Sequence, residues 1–454
     1  MVEPLLAVVD ANLYAARYQM AISLGFHIIL ASFGVAYPFF TFLAHYRGYR
    51  KRDVTGLRLA KRWSKAMAVL FAVGAVSGTI LSFEMGMLWP GLMGPYGDVI
   101  GLPFALEGIF FFIEAIFIGI YLYGWNRLSA RVHLFTLIPI ALSGLAGSFF
   151  ILTVNSWMNG PEGFTIAPDG SITDINPWAA MFNSGALVAW LHMLLAAYMM
   201  AGFLLASTYA VRWLRGNRSS ITRLGFLIPF TVAAIAAPLQ VMVGDIAARA
   251  LMERQPAKFA AMELLPDTRT RAPLTVGGIY VDGEVVGAIE IPLLGSLLAT
   301  RSVDGEVPGL DVVPDGDVPP VNVVHIAFQV MVGIGTFLVI LAAWFGWSWL
   351  RRRGPPESKL FWIGASSAGV LALIALEAGW TVTEVGRQPW VVWQIVRTSD
   401  AVSASTGIVA SAIAISTLYI ALGIVTIVVL RIIARRMDAG DDVHTPYGPS
   451  KDST

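Results

Sequence analysis

Residues 106–117 read LEGIFFFIEAIF, with Glu107 and Glu114 set among Phe, Ile and Leu. A charge at the middle of a bilayer costs about 2.5–3.5 kcal/mol on insertion scales, so carboxylates in such runs default to function. Seven residues are two helical turns, which puts both groups on one face about 10 Å apart along the axis. That spacing suits a relay handing protons from one carboxyl to the next, and structural hydrogen bonds alone would not require carboxylates. His27, His192 and Met331 also fall inside apolar runs, and Glu84, Glu377 and Glu384 lie nearer the ends of others. Each has an ordinary reading, since membrane histidines bond helices together and methionine fills core gaps. Taken together, imidazole and thioether in apolar surroundings suit haem iron, the first as a basic ligand and the second as one that favours the reduced state. Zinc is a poorer fit, because His27 and His192 sit in different runs without HExxH spacing. The other histidines lie elsewhere: His45 and His133 at the ends of runs, His325 at the start of one, and His444 in the C-terminal tail.

The elements that must carry these residues follow from composition. Of 454 residues, 56% are hydrophobic and 13% charged, which excludes an ordinary soluble domain and marks a polytopic membrane protein. A net charge of +1, with basic residues in short blocks between apolar runs, gives no nucleic-acid partner. The chain has no cysteine, so disulfides, thiolate metal sites, iron–sulfur clusters and cysteine catalysis are excluded together. No GxGxxG after a strand, P-loop or GxSxG is present, which leaves nucleotide and hydrolase chemistry without support. The N-terminal stretch lacks a basic region and a small-residue cleavage site, so the first apolar helix is expected to serve as its own insertion signal.

Runs long enough to cross a hydrocarbon layer of roughly 30 Å fall at 17–43, 65–92, 102–125, 133–153, 186–211, 224–248, 323–350, 360–381 and 406–433. The expected fold is an all-α integral membrane protein of nine transmembrane helices, with a long extracytoplasmic loop between the sixth and seventh. Five segments on one side, 44–65, 126–132, 212–223, 351–359 and the tail, hold 22 of the 31 Lys and Arg. By the positive-inside rule that side is cytoplasmic, with the N-terminus outside and the C-terminus inside. The chain divides into helices 1–6 over 1–248, a loop over 249–322, helices 7–9 over 323–436, and a cytoplasmic tail over 437–454. The loop opens with a helix-like stretch and continues through short β-like pieces (VGGIYVDGEVVGAIEI). Loops of that length are functional or disordered rather than mere connections. Subtracting span directions puts His27, His192, Met331 and the carboxylates in the outer half of the membrane, where they could surround one site.

The stretch WTVTEVGRQPWVVWQIVRT (380–398) resembles the signature of subunit I of the cytochrome bd-type quinol oxidases. RYQMAISLGFH (17–27), PFALEGIFFFIEAIFIGIYLYGW (103–125), NSWMNGP (155–161), the GD at 244–245 and FQVMVGIG (328–335) resemble that family's other motifs, so the likeness covers nearly the whole chain. The resemblance implies that His192 and Met331 are the axial pair of a low-spin haem b, and that His27 and Glu384 are ligands of two high-spin haems. It implies two haem b groups plus haem d, or a third haem b in its place, because SFEMGMLWPG (82–91) is similar to the cyanide-insensitive branch. Glu107 and Glu114 match carboxylates that deliver protons to the oxygen site. Arg17, Trp380 and Arg387 match residues near haem propionates or between haems. Lys258 and Glu263 match the lysine and glutamate of quinol oxidation, although their spacing alone reads as a solvated helical pair. Gln329 stands where relatives often carry Arg, which puts the potential of the low-spin haem in question.

The implied function is oxidation of membrane quinol on the outer side and reduction of O2 to water with cytoplasmic protons, an electrogenic, non-copper reaction. The implied partners are a second large membrane subunit (subunit II) and a small single-helix subunit. The residues alone leave two alternatives. A proton-coupled secondary transporter would need inverted repeats and broken helices, and a haem b anchor of a dehydrogenase would need only the His/Met pair.

Overall fold

A computed structural model describes residues 2–314 and 316–438, with side chains from residue 11 to 436 apart from 315; His444 and the tail assigned to 437–454 lie outside them, apart from the end of the last helix. Among the described residues nine helical segments are long and apolar enough to cross a membrane. They are α1 (Val2–Lys51), α2 (Val54–Leu88), α3 (Pro90–Gly124), the pair α4 (Ala130–Phe135) and α5 (Leu137–Asn159), α7 (Ala186–Leu214), α8 (Ser220–Arg254), α11 (Val321–Arg352), α12 (Lys359–Val385) and α14 (Ile408–Asp438). The remaining short helices are α6 (Pro177–Met181), α9 (Pro256–Glu263), α10 (Leu294–Thr300) and α13 (Thr398–Ala401).

The expected fold class holds, but helix ends run past the apolar windows because polar and basic residues at the termini extend the helix beyond the hydrocarbon. The run at 65–92 is corrected at both ends: α2 begins at Val54 and stops at Leu88, where Pro90 opens α3. Proline tolerates that first helical position because its missing N–H is an orphan there anyway. The start of α2 is set by Asp53, whose carboxylate accepts from Thr55 N and from Arg47 Nε at 2.8 Å. Gly48 and Gly56 let the α1–α2 turn close: a Cβ on Gly56 would lie 2.7 Å from the Ala44 carbonyl.

The helices form two groups. In one, α7, α8, α11 and α12 pack around a square, with α7 and α11 facing each other across it. In the other, α1 packs on α2, α5 and α14, and α3 packs on α5. The groups meet where α1 and α5 lie on α7. Lipid tails are as apolar as Leu, so helix association in a bilayer relies on close approach at small residues. Gly144 of α5 sits on the backbone of Gly34 in α1, Gly202 of α7 on Pro229 and Ala233 of α8, and Gly369 of α12 on Leu204 of α7. A shared core of Phe40, Phe203, Phe226, Phe230, Phe345, Phe361 and Trp362 joins the groups. Toward the basic loops, His45 and His133 are buried with Tyr121 and Trp125; His45 Nδ1 lies 3.0 Å from Tyr121 Oη and His133 Nε2 2.7 Å from the Tyr121 carbonyl.

The large loop is folded back on α11. β4 (Leu274–Val281) and β5 (Glu284–Ile291) form an antiparallel hairpin over the β-like stretch. Its two-residue turn, Asp282-Gly283, takes positive φ at both positions (48° and 89°), as a type I′ turn requires. Asn322 holds both the N–H and the carbonyl of Tyr280, and Gln329 donates to the Thr275 carbonyl at 3.0 Å. His325 places its ring nitrogens 2.8 Å from the Met262 carbonyl and 3.0 Å from the Gly277 carbonyl, tying α9 and the hairpin to one helix. Two-residue strands complete the loops: β1 (Thr165–Ile166) with β2 (Ile172–Thr173), β3 (Arg269–Thr270) with β6 (Glu306–Val307), and β7 (Trp390–Val392) with β8 (Val396–Arg397).

A methyl at Gly369 would lie 2.5 Å from Leu204 Cα and 2.6 Å from Ser207 Oγ, whereas one at Gly86 meets nothing within 4 Å. Gly369→Ala is expected to destabilise the bundle by about 1–3 kcal/mol, the usual cost of overpacking, and Gly86→Ala to be neutral. Thermal unfolding of the two variants in detergent measures this, and equal midpoints would contradict it.

Candidate functional site

The candidate residues separate into a histidine and a methionine inside the α7/α8/α11/α12 bundle and a polar cluster at the loop ends of α5 and α12. In the bundle, His192 and Met331 come from helices that face each other, and glycine stands beside each. A Cβ on Gly244 of α8 would lie 3.4 Å from His192 Cε1, and one on Gly379 of α12 would lie 3.0 Å from Met331 Sδ. Gln240 Nε2 reaches the His192 ring at 3.2 Å. An imidazole and a thioether, with glycines on the two intervening helices, suit the axial ligands of a flat macrocycle.

The polar cluster is built where NSWMNGP meets GRQPW. Asn155 and Asn159, one turn apart at the end of α5, divide its contacts. Asn155 Nδ2 donates to Glu384 Oε1 at 2.7 Å, and Asn159 Oδ1 accepts from Lys258 Nζ at 2.8 Å. Lys258 also donates to the Thr383 carbonyl at 3.2 Å. Arg387, 2% exposed, donates to Glu384 Oε2 at 2.6 Å. Arg17 reaches Gln388 Oε1 at 2.5 Å, and that same oxygen accepts from Thr398 Oγ1 at 2.9 Å. The Gln388–Pro389 peptide is cis.

Lys258 is therefore no solvated surface residue. Burial drives its ammonium well below the usual lysine range, the Arg387 charge pushes the same way, and Glu384 opposes both. Glu263, on the same short helix, does not pair with it among the described residues. Burial lifts the Glu263 carboxyl from 4.5 to about 7, and its Oε2 is buried without a hydrogen bond. Glu107 and Glu114 share the α3 face lying toward α1 and α5. A Cβ on Gly34 would sit 3.8 Å from Glu114 Oε1, and one on Gly147 would sit 3.9 Å from Glu107 Cγ. Glycine on the opposing helices thus makes room for each carboxylate. Glu377 presses on Gly25 of α1 in the same manner, at 3.2 Å, and borders a groove of about 560 Å³ between α11 and α12. His27 lies against α2, with Nδ1 2.9 Å from Ser77 Oγ.

The structure thus joins Lys258, Glu384 and Arg387 in one cluster, ties Arg17 to the adjacent Gln388, places His192 and Met331 on the facing helices α7 and α11, and leaves Glu107, Glu114 and His27 on the α1 side. Reading the sequence missed Asn155, Asn159 and Ser77 as individual contributors. The asparagines had a signal, an i, i+4 pair at the end of an apolar run; Ser77 had none.

A test of fit to haem comes from orphaned donors. Arg17 Nε, Trp380 Nε1, Arg387 Nε and Nη1, and Trp390 Nε1 are buried without acceptors. Buried N–H groups without partners are rare and costly, and the carboxylates of haem propionates are acceptors of the right charge. Glu384 retains lone pairs after its two hydrogen bonds, so it can also bind a metal.

Residues 15–438 match the family described as cytochrome bd terminal oxidase subunit I. The chain belongs to that family. It is 35% identical over 443 residues to a putative cytochrome bd menaquinol oxidase subunit I of Bacillus subtilis (strain 168), covering 96% of this chain and 99% of the relative. It is 30% identical to the cytochrome bd ubiquinol oxidase subunit 1 of the same organism, over 91% of each chain. The bd oxidase structure from Geobacillus thermodenitrificans superposes with a TM-score of 0.86 at 37% identity, over 94% of this chain and 98% of that one. This cytochrome bd subunit I is a multi-pass membrane protein, with nine helices among the described residues long and apolar enough to cross a bilayer.

An acid whose pKa rises on folding holds its proton more tightly folded than unfolded. The Glu263 contribution to stability therefore declines as pH rises from about 4.5 to about 7 and is flat beyond. Glu263→Gln is expected to shrink that decline, read as the unfolding midpoint of the purified complex against pH, and an unchanged profile would contradict the burial of this carboxyl.

Proposed function

We propose that this chain is the haem-carrying subunit of a terminal quinol oxidase, which takes electrons from a membrane quinol and reduces O2 to water. Family membership favours this over the transporter and dehydrogenase-anchor readings, and the observation that carries it is the set of buried, acceptor-less N–H donors around Glu384. A quinol offers no anionic acceptor for them, whereas haem propionates do. When bound, haem supplies electron storage and, at an iron with an open position, O2 binding and reduction.

In this reading His192 and Met331 hold a low-spin haem b, and His27 and Glu384 hold two high-spin haems, one haem b and the other haem d or a third haem b. Arg17, Trp380 and Arg387 bind the propionates. Gln329, in place of an arginine, bonds the hairpin rather than adding a positive charge near the low-spin haem. Lys258 and Glu263 handle the protons of quinol: a lysine held below its usual range takes up a proton as the quinol is oxidised, and a carboxyl near neutrality passes one on. The loop over 249–322 faces outside and the basic loops face the cytoplasm, so quinol protons leave on one side while O2 draws protons from the other. Glu114 and then Glu107 carry those cytoplasmic protons through α3, because a titratable group lowers the cost of moving charge through apolar surroundings. An electron taken up by a haem held here would be an uncompensated charge, and proton delivery by Glu114 and Glu107 would relieve it, which would make the reaction electrogenic without a pump. The chain works with subunit II and a small single-helix subunit, with quinol and O2 as substrates.

Glu107→Gln removes a titratable group while keeping its size. In the intact complex this variant is expected to insert normally, to keep its low-spin haem spectrum, and to lose quinol:O2 turnover by about 10²-fold or more, the scale of a lost proton-transfer group. Wild-type turnover would contradict the proton role.

A further inference from the structure

Resting on the reading of His27 as a haem ligand, we propose that Ser77 positions His27 by fixing its tautomer and ring angle, so that Nε2 is the nitrogen offered to iron. The face of α2 toward α1 is a polar seam. Glu84, 2% exposed, accepts from Gln19 Nε2 at 2.9 Å, and two turns away Ser77, 0% exposed, meets His27 Nδ1 at 2.9 Å. Gln19 and His27 are eight residues apart on α1, and Glu84 and Ser77 seven apart on α2, so one antiparallel register makes both contacts.

A serine hydroxyl has one proton to donate. In Ser77 that proton is directed to the Gly74 carbonyl, one turn back, at 3.0 Å. With its proton so directed, Ser77 Oγ meets His27 as an acceptor, which assigns the hydrogen to Nδ1. Nε2 keeps its lone pair, and no hydrogen-bond partner occupies it among the described residues. The next residue completes the seat: a Cβ on Gly78 would stand 2.9 Å from His27 Cε1, so glycine leaves room for the Cε1 edge of the ring against α2. Donation from the far ring nitrogen makes a histidine ligand more basic and holds its orientation, and losing such a partner costs about 10–100-fold in metal affinity or activity. Ser77 touches no reacting atom. It acts through His27.

The test compares Ser77→Ala and Ser77→Thr with wild type in the intact complex, using haem content and the iron–histidine stretching frequency of the reduced high-spin haem by resonance Raman. Ser77→Ala is expected to lower that frequency and to weaken retention of that haem by about 10–100-fold. Ser77→Thr is expected to restore both, because a threonine hydroxyl makes the same back-bond to the preceding turn. A wild-type frequency with full haem in Ser77→Ala, or failure of Ser77→Thr to rescue, overturns the inference. His27→Ala separates the two levels: loss of the iron–histidine band upholds His27 as the ligand whatever Ser77 does, and survival of the band removes the ligand assignment itself.

Discussion

The structure depends on polar groups that have nowhere to find water except in one another. At the loop ends of α5 and α12 a lysine, an arginine, a glutamate and two asparagines are drawn together, with Arg387 and Lys258 each 2% exposed. Removing one partner from a buried charged pair leaves the other uncompensated at a cost of several kcal/mol. The cluster therefore holds three chain segments in place at once: the NSWMNGP turn, the start of the large loop and the GRQPW turn. Glu384 is aimed by contacts from both sides, and Lys258 is carried into the interior by the short helix that follows α8.

Glycine does the complementary work within the membrane. Glu107, Glu114 and Glu377 each lie against a glycine on a neighbouring helix, and His27, His192 and Met331 do so as well. The same property that brings helices close in lipid, the absence of a side chain, here leaves room for a carboxylate, an imidazole or a flat macrocycle. Helix contact and site formation thus draw on one residue type. Glu114, Glu377 and His27 gather in this way along α1, which touches α2, α5, α7 and α14.

Much of this was legible in the chain. Nine apolar runs and the one-sided distribution of Lys and Arg give the architecture, because hydropathy and length are strong signals in a bilayer. The Asp282-Gly283 turn between alternating apolar residues announces its hairpin. The pinning of that hairpin by Asn322, His325 and Gln329 was not legible, since those bonds join residues more than 40 positions apart. Nor was the depth of Lys258. Its spacing from Glu263 is that of a surface pair, and only the folding of the loop onto α5 and α12 buries it. The end of α2 was misplaced because Trp89 and Leu92 continue the apolar run past a helix boundary that Pro90 sets.

The central claim is that iron porphyrins lodge among these helices, held by His192, Met331, His27 and Glu384. The most direct measurement is haem extraction and pyridine haemochrome analysis of the purified complex, taken from haem-replete cells together with its companion subunits, alongside its absorbance spectrum. The account predicts a strong Soret band and three haems per complex, one low-spin and two high-spin. A complex with no Soret absorbance, or with a single low-spin haem, would contradict it.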